Sequence, residues 1–148
     1  MCFYTASYTY RSVSRSRRLQ IIPRKSLILQ NPKVNLIFPD YLRGVIDGDG
    51  TFGRYKQRRG YTIKFAIYSA SLSYAHSLFE TITSLGFNVN FVTRKTQQNP
   101  IYSIQKAGSV ALDFLEYIYK DSIEILRLDR KFEKYLNILE LHKLYKNT

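Results

Sequence analysis

Cysteine is nearly missing from this chain: Cys2 stands alone, which excludes an intramolecular disulfide and any Cys-based zinc site. Histidine is almost as scarce, and His76 and His142 are too few and too scattered for a His cluster. A metal bound here is therefore held by oxygen. No run approaches the roughly 18 apolar residues of a membrane span, so no membrane partner is expected. The opening MCFYTASYTY lacks the charged start and apolar centre of a secretory signal. Acids are missing too: residues 1–39 hold seven Lys and Arg and no Asp or Glu. An Arg- and Ser-rich, acid-free opening also fits an organellar transit segment, although Pro23 and Pro32 break any long amphipathic helix there.

At 148 residues the chain fits one domain, or one domain with a tail. Its net charge of +12 points to a nucleic-acid partner before any motif is read, with a charge that serves only solubility or assembly as the alternative. The charge is uneven. Residues 40–112 hold nine basic and four acidic side chains, and residues 113–148 hold seven of each, so the last part is electrostatically ordinary. The middle, where strand patterns concentrate, is the candidate surface for phosphates.

In SLSYAHSLFETITSLGF, Leu72, Ala75, Leu78, Phe79, Ile82 and Leu85 recur at steps of three and four, with Ser71 as N-cap and Gly86 as the residue past the end. His76 falls off that stripe. A second helix is expected after Gly108-Ser109, and a third over Leu128 to Leu144 with Phe132, Tyr135, Leu136 and Leu139 turned inward. Two hairpins are expected between the helices: Thr51–Lys56 with Tyr61–Tyr68 around QRRG, and Asn88–Lys95 with Ile101–Lys106 around TQQNP. Alternation gives each strand a greasy and a polar face, Ile63, Phe65 and Ile67 opposing Thr62, Lys64 and Tyr68 on the second. The expected fold is α+β, an antiparallel four-stranded sheet with helices under its apolar face and a polar, basic upper face suited to a DNA groove or to plain solvent.

The stretch LRGVIDGDG, residues 42–50, puts Gly44 and Gly48 one helical turn apart, where small residues let a second backbone approach. Ordinary capping explains glycines near a helix end but not the acids. Asp47 and Asp49 sit at the negative end of the helix dipole, where a carboxylate is disfavoured by about 0.3–1 kcal/mol and a cation is welcome. Oxygen ligands beside glycine suit Mg²⁺, which takes one or two carboxylates and completes its shell with water and substrate oxygens. An EF-hand calcium loop is excluded by counting: with Asp47 first, its glycine falls on Phe52 and its last glutamate on Arg58.

These residues resemble the signature of the LAGLIDADG homing endonucleases, with Arg43, Val45 and Gly48 departing mildly from it, and YKDSIEILRLDRKFEKY at 119–135 is similar to a segment that often closes that domain. The resemblance implies a site-specific double-strand DNA endonuclease using Mg²⁺ or Mn²⁺, with an intron-splicing maturase that binds RNA, or an inactive nucleic-acid-binding relative, as the alternative. It implies Asp49 as direct metal ligand with the carbonyl of Gly48, Asp47 as a capping or orienting acid, Lys131 or Arg130 as the basic residue and Ser71 as the polar residue near the attacking water. DNA contacts are expected from Arg54, Tyr55 and Lys56 on the first strand, Arg58 and Arg59 in the turn, and Thr62, Lys64 and Tyr68 on the second strand. Asn90, Arg94 and Lys95 on the third strand and Ser103 and Gln105 on the fourth complete the set.

A single motif implies a homodimer, with Leu42, Gly44, Val45 and Gly48 between the two motif helices. The preface IIPRKSLILQNPKVNLIFPDY resembles the passage into the second motif of two-motif members, which leaves a partner LAGLIDADG chain as the other reading. Residues 1–36 are accordingly expected as a poorly ordered basic extension or the remnant of an upstream repeat, and 37–148 as the endonuclease domain. Abundant Tyr, Lys, Ile and Asn fit an AT-rich phage, bacterial or organellar genome.

Overall fold

Pro39 and Asp40 suit the first turn of a helix: proline lacks the N–H that would go unpaired there, and the carboxylate meets the positive end of the dipole. A computed structural model describes residues 38–146, and its first element, α1, spans Phe38–Asp49. Leu42 and Ile46, four apart, face inward and are fully buried. Gly44, Gly48 and Asp49 lie on the exposed side. The expected extension over residues 1–36 lies outside the described residues.

The strands are β1 (Gly50–Lys56), β2 (Tyr61–Ser69), β3 (Asn90–Arg94) and β4 (Ile101–Ala107). They stand in the order β1-β2-β4-β3, every pair antiparallel. Register separates the faces. Phe52 lies opposite Phe65, Ile67 opposite Ile104 and Ile104 opposite Phe91, so these form the apolar face. The strands begin and end within two residues of the sequence pattern.

The helices α2 (Leu72–Ser84), α3 (Ser109–Tyr119) and α4 (Asp129–Lys146) cover that face with α1. Ser71 caps α2 by accepting from the Tyr74 N–H. Past its end Gly86 takes φ +92°, while its N–H donates to Thr83 O and that of Phe87 to Ile82 O, a Schellman ending that glycine alone enters without strain. Phe114 of α3 stacks on Phe65 at 4.4 Å between ring centres, and Tyr119 stacks on Tyr135 of α4 at 5.2 Å. Burying a side chain such as Phe65 stabilises by about 1.5–3 kcal/mol. On α4 the inward set differs from expectation: Tyr135 and Ile138 are buried, while Leu136 is 46% exposed. The helix packs over β1 at one edge of the sheet, where a narrow seam takes positions three apart.

Arg43, expected only as a mild departure from the motif, is the largest fully buried side chain among the described residues. Its guanidinium donates to Ile118 O at 2.9 Å, Leu126 O at 3.1 Å and Asp40 Oδ1 at 2.5 Å. It ties α1 to the end of α3 and to the short 3₁₀ turn Glu124–Leu126 that leads into α4. A buried cation is tolerable because its donors are satisfied.

Candidate metal and nucleic-acid site

The two motif acids part company. Asp47 lies one turn from Arg43 on the inward side and is buried, accepting from Tyr119 Oη at 2.5 Å and from the Leu128 N–H at 2.9 Å. It orients the chain between α3 and α4. Burial, and then this bond to Asp47, hold the Tyr119 hydroxyl well above the usual tyrosine pKa. Asp49 closes α1 on the exposed side and makes no salt bridge among the described residues. It also lies near Tyr74, whose hydroxyl is raised by burial, by its bond to Tyr41 and by the Asp49 charge.

Gly50 must be glycine. A Cβ there would stand 2.7 Å from the Ile46 Cα, so nothing larger lets the chain pass from α1 directly into β1. That tight passage leaves helix-end carbonyls without partners inside the helix. Lys131, from the first turn of α4, bridges the junction: its ammonium donates to Ile46 O in the last turn of the helix and, at 2.8 Å, to Gly50 O at the start of β1. Burial lowers the Lys131 pKa and the neighbouring Arg130 and Lys134 add to this, while Asp47 and Asp49 oppose it.

Gly48, Gly50, Thr51, Phe52, Arg130, Lys131 and Lys134 line an open hollow of about 380 Å³ beside Asp49. The resemblance-derived pair Arg130 and Lys131 is thus brought to the motif, Arg130 lining the hollow and Lys131 bracing the helix end. Lys134, one turn along α4, was missed; its spacing from Arg130 and Lys131 was the available signal. Ser71 requires correction. It is fully buried, and its hydroxyl serves as the α2 N-cap, so it has no surface for water at this hollow.

On the open face of the sheet the register assembles Tyr55, Thr62, Lys64, Tyr68, Asn90, Arg94 and Gln105. Arg58 and Arg59 are exposed in the turn between β1 and β2, and Lys95 is exposed just past β3. Three expected DNA contacts fall elsewhere. Arg54 pairs with Ile63 on the helix-covered side, its guanidinium 3.8 Å from the Tyr61 ring centre, because Phe52 two residues earlier is committed to the core. Lys56 leaves the strand on that same side. Ser103 has the correct face but is buried between longer neighbours, its hydroxyl donating to Val92 O.

Gly44 and Gly48 present an unobstructed stripe: a Cβ at either would meet nothing within 4 Å. Val45 is half-buried beside them. Leu42, expected with them between two helices, is instead wholly enclosed in the chain's own core and offers no surface.

No family model and no curated protein matches the chain. Solved structures do. The homing endonuclease I-CvuI in complex with its target superposes with a TM-score of 0.53 at 16% identity, over 72% of this chain and 66% of that one. The group I intron-encoded homing endonuclease I-CeuI complexed with DNA gives 0.52 at 13% identity, over 95% of this chain and 70% of that one. The chain has the LAGLIDADG homing endonuclease fold. The meganuclease I-SmaMI bound to DNA gives 0.50 at 18% identity, over 90% of this chain and 46% of that one, so the chain spans just under two thirds of I-CvuI and about half of I-SmaMI. Within this LAGLIDADG fold α1 is the motif helix, and the acid-bearing end of it meets the edge of the open sheet face.

The donor set fits a hard divalent cation in part. Asp49 is exposed and makes no ion pair among the described residues, and the carbonyl of Gly48 belongs to the last helical turn, where carbonyls lack partners within the helix. Among the described residues no group of three or more His, Cys, Asp or Glu gathers anywhere. One chain therefore offers one carboxylate and one carbonyl, and the remaining ligands of such a cation would have to come from outside these residues.

Proposed function

We propose that the protein is a site-specific double-strand DNA endonuclease that depends on Mg²⁺ or Mn²⁺ and acts as a homodimer. The observation that carries this reading is Asp49: an unpaired carboxylate at the negative end of α1, beside a hollow walled by Arg130, Lys131 and Lys134 and next to a basic sheet face. The relatives in fold that were solved with DNA support it.

Asp49 and the Gly48 carbonyl would hold the cation, which would supply activation of a water and stabilisation of the leaving oxygen. The residues of the chain do the rest. Lys131 fixes the carbonyls on either side of Asp49 and so fixes the carboxylate itself. Arg130 and Lys134 offer charge to the scissile phosphate across the hollow. Asp47 pins Tyr119 and Leu128, which holds α4 and its cations at this distance from α1.

The homodimer follows from incompleteness. One chain supplies one such acid, while two strands must be cut, and the Gly44/Gly48 stripe is open to a second identical helix. Incubating the purified protein with a library of duplex targets, with and without Mg²⁺, tests the reading. Cutting in Mg²⁺ alone is expected, and Asp49→Asn should abolish it while sparing binding; retained binding with no cutting under either condition overturns it.

A further inference from the structure

The open face of the sheet holds a second hollow, of about 340 Å³, that the chemistry at Asp49 does not use. Its floor is the short side chains of Thr51, Ala66 and Ala107. One row crosses the whole sheet as Thr51, Ala66, Gln105 and Asn90, each the direct cross-strand partner of the next. The adjacent row reads Gly53, Lys64, Ala107. Lys64 does not fill the space, because its ammonium leans 5.6 Å from the ring centre of Tyr55, on the side away from Ala66. Tyr68 stands at the other side, 42% exposed.

In the row from Thr51 to Asn90, two side chains reach above this floor with hydrogen-bonding ends, Gln105 and Asn90. Neither carboxamide makes a side-chain hydrogen bond among the described residues. Ser103, their neighbour on β4, is by contrast buried and already bonded to Val92 O. Two unpaired carboxamides thus stand one strand spacing apart, about 4.8 Å.

A carboxamide presents a donor and an acceptor in one plane. In the major groove adenine offers N7 as acceptor and N6 as donor side by side, guanine offers two acceptors and cytosine one donor. The floor between Lys64 and Gln105 is made of the Ala66 and Ala107 methyls, which suit the methyl of thymine. The geometry points to Gln105 and Asn90 as a specificity-determining pair that reads an A·T step in each half-site, the carboxamides on adenine and the alanines under thymine. This rests on the endonuclease reading and adds a sequence preference to it. Thr51 begins the row and also lines the hollow beside Asp49, so the preferred step lies close to the cut and not at the ends of the target.

The test recovers bound duplexes from a randomised library with the full chain, in EDTA so that cutting does not deplete the tightest ligands. The wild type is expected to recover a motif with adenine at one or two adjacent positions of each half-site. Gln105→Ala should relax one of those positions by roughly ten- to a hundredfold and leave the others sharp. Gln105→Glu should move it towards cytosine, whose N4 a carboxylate accepts from. Asn90→Ala, at an exposed position, repeats the comparison where no buried packing is removed. Variants that recover the wild-type motif unchanged, or that lose affinity equally for every sequence, overturn this assignment and leave the endonuclease reading standing. A wild type that recovers no motif at all overturns both.

Discussion

Asp47 and Asp49 are two residues apart and do opposite work. The inward one is paired with Tyr119 Oη and the Leu128 N–H, and the outward one is exposed with no ion pair among the described residues. Tyr119→Phe removes one of the two bonds to a buried carboxylate and should cost about 1–3 kcal/mol of stability. It should also change the pH profile. The Tyr119 hydroxyl is raised by burial and by Asp47, so the folded chain keeps its proton where the unfolded chain, titrating near pH 10, loses it. The stability it contributes is therefore complete below about pH 10 and is lost as pH rises beyond. Melting temperatures across pH 8–11 should fall on the alkaline side for both proteins, since Tyr74 and Tyr135 are raised too, but less steeply for Tyr119→Phe. Equal slopes would show that the Tyr119–Asp47 bond does not hold the proton.

At the scale of elements, α1 carries three functions on three faces: Leu42 and Ile46 in the core, Arg43 and Asp47 against the α3–α4 connection, and Gly44 and Gly48 open. Gly44→Leu separates folding from assembly. A Cβ there meets nothing within 4 Å among the described residues, and replacing glycine inside a helix stabilises by roughly 0.5–1 kcal/mol, so the melting temperature should not drop. On the homodimer proposed above, sedimentation equilibrium should nevertheless show monomers for the variant against dimers for the wild type, and cutting should be lost. A variant that stays dimeric places the subunit contact on another surface. The ends of α2 were legible because Ser71 and Gly86 are local signals whose chemistry acts within a few residues. The place of Asp49 at the end of α1 and the polar face of the sheet were legible for a related reason, since period and spacing carry them. What was not legible depends on distant partners. Arg43 reads only as a mild departure from the motif until the carbonyls of Ile118 and Leu126 arrive, and Ser71, legible as the α2 N-cap, looks open to water as well until the fold buries it. Arg54 was misplaced although its parity with Phe52 was readable, and Leu136 exchanged places with Ile138 because α4 packs along an edge too narrow for its whole apolar set.

Across the whole molecule the charge is arranged more sharply than its sum implies. None of the four strands contains an acidic residue, and every carboxylate from residue 38 onward lies on a helix or in a loop. A duplex lying along the open face meets Lys64 and Arg94 and, at its edge, Arg130 and Lys134, with Arg58, Arg59 and Lys95 at the strand ends. Phosphate contacts of this kind release counterions, so the logarithm of affinity should fall linearly with the logarithm of salt, with a slope of about −0.9 per phosphate neutralised. Arg130→Gln removes one such contact per protomer and should flatten the slope by roughly two in a dimer, leaving the preferred sequence unchanged. Gln105→Ala should do the reverse, altering preference at one position with the salt slope intact, because a carboxamide displaces no counterion. Titrating both variants against one target and one mismatched duplex between 50 and 300 mM salt measures the two quantities together, those concentrations spanning roughly the range over which such slopes are resolved. If Arg130→Gln changes sequence preference instead of slope, its guanidinium reads a base, and the hollow beside Asp49 faces the groove and not the backbone.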